Sequence, residues 1–328
     1  MRLHENTELF KQSVRFTGQK IGLPDIYVEK DYWVSYVLSL IFSNEISSDI
    51  IFKGGTALSK CYKIINRFSE DIDLVALRRE GENDNQLKKK LKTISNLVGD
   101  KLPEIKDYDL THKRGMIRKT AHRYKKEFKG DYGQVRDVVV VEATWFGNHE
   151  PFTTKMVNSF IGEMMLSNGQ EGIAEEYNLL PFEVKVLEPT RTICEKIMSL
   201  VRFSYTDEPI KDLRNKIRHT YDLHFLLKEE RLSKYFDSEE FTKLFLKVAN
   251  DDIESFKNNN VWLNNHPNKA LIFENTEEFW KKMESTYKDS FRKITYGDFP
   301  EGEEILNSLN RIKDRLSKID WNIKIEKQ

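Results

Sequence analysis

The chain has 328 residues, 39% of them apolar and 32% charged, which excludes a disordered tail and a membrane-embedded protein and leaves room for two modest cores. Lysine plus arginine and aspartate plus glutamate both number 53, so a partner of opposite charge has to be met by a local patch. No secretory signal opens the chain and the apolar stretch at 32–42 is too short to span a bilayer, so a cytoplasmic protein without membrane contact is expected.

In chain order, residues 5–48 predict two helices separated by Gly22-Leu23-Pro24-Asp25. The second carries an apolar stripe of Tyr27, Val34, Val37, Leu38 and Ile41, after a charged start that includes Glu29-Lys30-Asp31. Packing is the simpler role for these charges, and direct substrate contact by Lys30 or Asp31 the alternative. Next, Ile50-Ile51-Phe52 predicts a strand, Gly54-Gly55 a turn, and Thr56-Ala57-Leu58 the start of a helix reaching to about Asn66. The run Asp71-Ile72-Asp73-Leu74-Val75 alternates, so on a strand Asp71 and Asp73 share one face and Ile72 and Leu74 the other. Two carboxylates about 7 Å apart suit magnesium, and a solvated strand face is the plain alternative. The glycine pair lets backbone approach a phosphate, although neither a Walker loop nor G-x-G-x-x-G is present.

A polar loop over 78–85 leads to a helix over 86–98. The basic segment 113–129, with Tyr124 and Phe128 interleaved, fits a nucleic-acid backbone and a solvated loop equally well. Val135 to Trp145 predicts a strand on which Val138, Val140, Glu142 and Thr144 share a face. Glu142 there must be paired, protonated or metal-bound, or else lie on a wet edge. Residues 147–181 predict a connection with a helical middle, Met156 to Met165. A strand from Phe182 to Leu187 then enters a helix through Glu188-Pro189-Thr190, with Thr192 and Glu195 spaced as a capping box. Lys196 falls on the same stripe as Ile193, Ile197 and Leu200, so it either snorkels or aims its ammonium into a site. A loop over 205–212 precedes a helix over 213–227 carrying Arg218 and Asp222 four apart, the spacing of a surface ion pair. The remainder predicts helices, with loops around 258–260 and 296–300 and Trp262, Phe279, Trp280 and Trp321 as core anchors. Cys61 and Cys194 are expected reduced and buried.

Gly54-Gly55-Thr56-Ala57-Leu58 followed by Arg67-Phe68-Ser69-Glu70-Asp71-Ile72-Asp73-Leu74 resembles the signature of the AbiEii/AbiGii toxin family, a branch of the DNA polymerase beta-like nucleotidyltransferases. Glu195-Lys196 and Arg218-His219-Thr220-Tyr221-Asp222-Leu223 resemble its two later motifs, with His219 where an acid is usual. The resemblance covers roughly residues 26–228. It implies a mixed α/β nucleotidyltransferase core, 1–188, and a helical domain, 189–328, completing one cleft. It further implies one or two Mg²⁺ ions on Asp71, Asp73 and Glu142, and an NTP cradled by Gly54, Gly55, Thr56 and Ser69. Lys196 and Arg218 would bind nucleotide, Lys196 neutralising the leaving group and Asp222 orienting Lys196 or Arg218. A toxin silenced by an antitoxin follows from the same resemblance, with growth arrest or phage defence as the outcome. The tRNA 3′ end is the leading acceptor. A protein or small-molecule acceptor, or a catalytically silent nucleotide-binding module, are the alternatives.

Overall fold

The structure is a computed structural model describing residues 1–106, 108–133, 135–145, 150–256 and 259–325. The chain divides into two compact units, Met1–Trp145 with Phe152–Leu187, and Phe146–Pro151 with Glu188–Gln328.

The first unit begins with α1 (Thr7–Ile21) and α2 (Asp25–Phe42), and Gly22 closes α1 in the left-handed conformation that glycine adopts without penalty. Then come β1 (Ile50–Lys53), α3 (Gly54–Lys60), β2 (Asp71–Ala76), α4 (Asp84–Gly99), β3 (Ile117–His122) and β4 (Val139–Thr144). β5 (Phe152–Val157), α5 (Phe160–Ser167), α6 (Glu171–Glu176) and β6 (Phe182–Leu187) complete it. The six strands form one mixed sheet in the order β3-β4-β2-β1-β6-β5. β2 runs parallel to β4 and antiparallel to β1, and β1 runs parallel to β6. Ile72, Leu74, Val139 and Val141 are buried on one face, and α2 and α4 both pack against β2 and β4. On the other face Val138, Val140 and Ala121 form a small cluster with Ile105 and Tyr108.

Several elements differ from their sequence reading. α3 ends at Lys60 and not near Asn66, because Lys63 turns left-handed (φ 54°) and the chain crosses back with Ile65 and Phe68 in the core. The basic segment contains β3, and the strand read from Val135 begins only at Val139. Residues 152–157, read as connection and helix, are the edge strand β5. Its exposed Phe152 and Met156 carry no apolar alternation, and its identity comes from pairing with β6. Cys61 is only half-buried, whereas Cys194 is fully buried.

The second unit is helical: α7 (Pro189–Phe203), α8 (Pro209–Asn215), α9 (Ile217–Lys228), α10 (Glu230–Phe236), α11 (Glu239–Ser255), α12 (Leu271–Glu274), α13 (Thr276–Thr286) and α14 (Gly302–Leu316). α7 starts at Pro189 behind Glu188, so Thr192 lies inside the helix, its hydroxyl 3.5 Å from Glu188 O, and is no N-cap. The helix read as continuous from Leu213 breaks at Lys216 into α8 and α9. Trp262, Phe279 and Trp280 are core residues, while half-buried Trp321 donates its indole N–H to Leu263 O. Of the loop read at 258–260, Asn258 lies outside the described residues. No helix among the described residues is long and apolar enough to cross a membrane.

Candidate active site

Strand register assembles the first constellation. Lys53 on β1 pairs with Asp73 on β2, Asp73 with Glu142 on β4, and Glu142 with Lys119 on β3. One row across four strands therefore reads lysine, aspartate, glutamate, lysine, with the acids at the centre. Asp71, two residues earlier on the same face, lies beside Val140. Lys119 Nζ donates to Glu142 Oε2 at 2.7 Å, and one nitrogen of Arg136, Nη1, reaches both oxygens of Asp71 at 2.9 and 3.0 Å. Burial, then Glu142, then Asp71 push the Asp73 carboxyl up to about 7.

Folded Asp73 takes up its proton near pH 7, whereas the ordinary value is 3.8. The folded chain thus holds more protons between about pH 4 and 7, and stability falls as pH rises through that window. Melting scans from pH 4.5 to 7.5 in EDTA should show the native protein losing stability relative to Asp73→Asn; parallel curves would rule this titration out.

The glycine pair has a geometric reason. Gly54 has φ 85°, and a Cβ there would overlap Asp73 Oδ2; a Cβ at Gly55 would lie 2.5 Å from Arg67 Nη2 and 3.0 Å from Ser69 Oγ. Thr56 Oγ1 donates to Asp71 O at 2.6 Å and lies 3.0 Å from Ser69 Oγ, tying the start of α3 to that of β2. Lys53, the N-cap, makes no side-chain cap to the first turn of α3. Gly54→Ala should cost about 1–3 kcal/mol through its φ alone and also displace the Asp73 carboxylate. Gly81→Ala, at φ 79° with nothing within 4 Å, is the control. Transfer should collapse only in the first, and equal activity in the two variants would refute the close-approach argument.

Behind this face, three consecutive charges of α2 are buried. Glu29 accepts the N–H groups of Glu127 and Phe128 at 2.6 and 3.3 Å, and Lys30 donates to Arg136 O. Asp31 receives Lys60 Nζ at 2.5 Å and the Phe160 N–H at 2.8 Å. Burial pushes Glu29 up to about 7 and Lys30 down to about 8. These partners support the packing role read for Lys30 and Asp31.

The second constellation lies inside the helical unit. Lys196 is 6% exposed and Asp222 fully buried, and Lys196 Nζ donates to Asp222 Oδ2 at 2.6 Å, with His219 Nδ1 3.4 Å away. The lysine therefore does not snorkel. Glu195 accepts from Arg191 Nε at 3.0 Å, and Tyr221 is a core residue among Phe225, Phe291 and Phe299. Arg218 is half-exposed on α9.

Sequence reasoning missed Arg136, Lys119 and Lys53. Arg136 has the parity of Val138, Val140 and Glu142, which could have found it; Lys119 and Lys53 become visible only through register. The basic segment is also less free than it looked. Lys113 pairs with Glu104, Lys119 with Glu142, Lys125 with Glu127 and Lys126 with Asp137, while Tyr124 is buried against Trp33.

Three carboxylates thus lie on one sheet face, with a Gly-Gly turn against the central one, and the family to which the chain belongs makes it a nucleotidyltransferase. It belongs to the AbiEii family, nucleotidyl transferase toxins of type IV toxin–antitoxin systems, whose sequence model matches residues 40–317. Among solved structures it resembles MenT4, the nucleotidyltransferase toxin Rv2826c from Mycobacterium tuberculosis H37Rv. The TM-score is 0.56 and the identity 15%, over 94% of this chain and 90% of that one, a likeness of fold. No curated protein matches the sequence significantly.

The donor chemistry of Asp71, Asp73 and Glu142 suits a hard divalent cation, and the raised Asp73 carboxyl marks negative charge that such a cation would relieve. The set is not preassembled. Among the described residues no three carboxylate, imidazole or thiolate groups are placed to hold a metal, and Arg136 and Lys119 engage the two outer acids.

Proposed function

We propose that the protein transfers NMP from an NTP to the 3′ end of an RNA, tRNA first among candidates, in a reaction that needs Mg²⁺. The observation carrying this reading is the register of Asp73 with Glu142, which sets a third acid beside the Asp-x-Asp strand. Asp71, Asp73 and Glu142 would hold the metal, which when bound supplies charge neutralisation on the triphosphate and alignment of the acceptor hydroxyl. Gly54, Gly55, Thr56 and Ser69 present backbone N–H and hydroxyl groups to phosphate oxygens. Lys196, steadied by Asp222, neutralises charge on the departing pyrophosphate, and Arg218 contributes to nucleotide binding. A cognate antitoxin restrains the activity, in keeping with the family.

Incubating the protein with tRNA, each labelled NTP in turn and Mg²⁺ should label RNA with one or more nucleotides and release pyrophosphate. EDTA should abolish the label. Label in a polypeptide or metabolite and none in RNA would move the acceptor to another class, and no label with any NTP would leave a silent binding module.

A further inference from the structure

Away from the acid face, the first unit has an open pocket of about 410 Å³ whose walls are aromatic and whose rim is cationic. His4 lies over Trp33 with ring centres 4.6 Å apart and 31° between planes. Tyr124 stacks on Trp33 at 5.7 Å, and Tyr36 meets it edge-on at 5.8 Å. His4 and Tyr36 are half-exposed, and the Arg2 guanidinium lies over the Tyr36 ring, 5.2 Å from its centre. Trp33 is 5% exposed and its indole N–H has no hydrogen-bond partner. Lys101, Arg123 and Lys125 line the same pocket and are exposed. Lys125 is shared with Glu127, but among the described residues neither Lys101 nor Arg123 has an ion-pair partner.

Planar rings and two cations without an ion-pair partner among the described residues match two parts of a nucleotide: a base face and the backbone phosphates. We infer that this pocket binds an unpaired nucleotide of a single-stranded RNA segment, a base stacking against His4 and Tyr36 while Lys101 and Arg123 take the flanking phosphates. The inference deepens the RNA-acceptor reading and rests on it. The chain as a whole is electrically neutral, so a local cationic rim is what a polyanion would need.

The test is binding of a fluorescein-labelled single-stranded RNA 12-mer, followed by anisotropy without NTP or Mg²⁺, so that chemistry plays no part. Lys101→Glu/Arg123→Glu should weaken binding at least about tenfold and flatten the slope of log K against log salt by about 1.4, at about 0.7 per phosphate contact. Tyr36→Ser should weaken it about tenfold with little change in salt slope. Melting temperatures of both variants should match the native protein, and in transfer assays KM for RNA should rise while KM for NTP stays put. Native affinity in the double variant overturns the assignment. If the native protein labels RNA while the variants bind it normally, the pocket falls and the acceptor reading stands. If RNA binds through the pocket but takes no label, the pocket stands and the acceptor reading falls. Loss of antitoxin binding with RNA affinity unchanged would assign the pocket to a protein and overturn the inference.

Discussion

Asp73→Asn should reduce nucleotidyl transfer by at least about 10³-fold and leave the folded protein as stable as before, or more so. Asp73 is paired in register with Glu142 and follows Asp71 on the same face, and burial, with repulsion from these two acids added to it, pushes its carboxyl up to about 7. An amide of the same shape removes one of three crowded negative charges, relieving the folded state while discarding the ligand the reaction requires. Activity and stability are thus expected to move in opposite directions, as they do where a site is kept at the expense of the fold. Transfer rate and melting temperature at pH 7.5, measured on one preparation, decide it. Normal turnover would remove Asp73 from the chemistry, and a large loss of stability would mean the side chain is structural.

The second large effect concerns Lys196. The sequence leads one to expect that Lys196→Ala abolishes transfer and spares the fold, but burial of its partner argues against the second half. Asp222 is fully buried and receives Lys196 Nζ at 2.6 Å, so alanine would take the ammonium away from a carboxylate in the helical core. Breaking a buried pair from one side costs about 3–5 kcal/mol, whereas replacing both partners by apolar groups is often close to neutral. Lys196→Ala should therefore unfold at markedly lower denaturant concentration, while Lys196→Met/Asp222→Leu recovers most of the stability and none of the transfer. A double variant that is stable and active would show that the pair is a structural brace and nothing more.

What could be read from the chain divides along physical lines. The Asp-x-Asp strand was legible from its alternation, the glycine pair from the turn it marks, and the lysine on an apolar helical stripe as a local violation of periodicity. Glu142 was legible for the same reason, an acid among valines. Lys53 and Lys119 were not, because what makes them informative is the strand beside them: Lys119 matters through its register with Glu142 and Lys53 through its register with Asp73. β5 was missed because an edge strand exposed on both faces over most of its length has no apolar rhythm, and α3 was drawn too long because its end is set by Lys63 turning left-handed. The charged start of α2 was read as packing, and its partners agree, but they are scattered from Lys60 to Phe160 and no spacing could name them.

That triple of buried charges also bears on how the protein is made. Glu29, Lys30 and Asp31 leave the ribosome early; Lys60 follows Asp31 by 29 residues, whereas the other partners, at 127–128, 136 and 160, follow about a hundred or more residues later. During synthesis Glu29 and Lys30 therefore wait for the partners they have in the fold, and the acid face cannot be drawn together until β4 has emerged. A nascent fragment ending before β4 lacks Glu142 and should show no transfer, a useful property for a polypeptide whose finished form is a toxin.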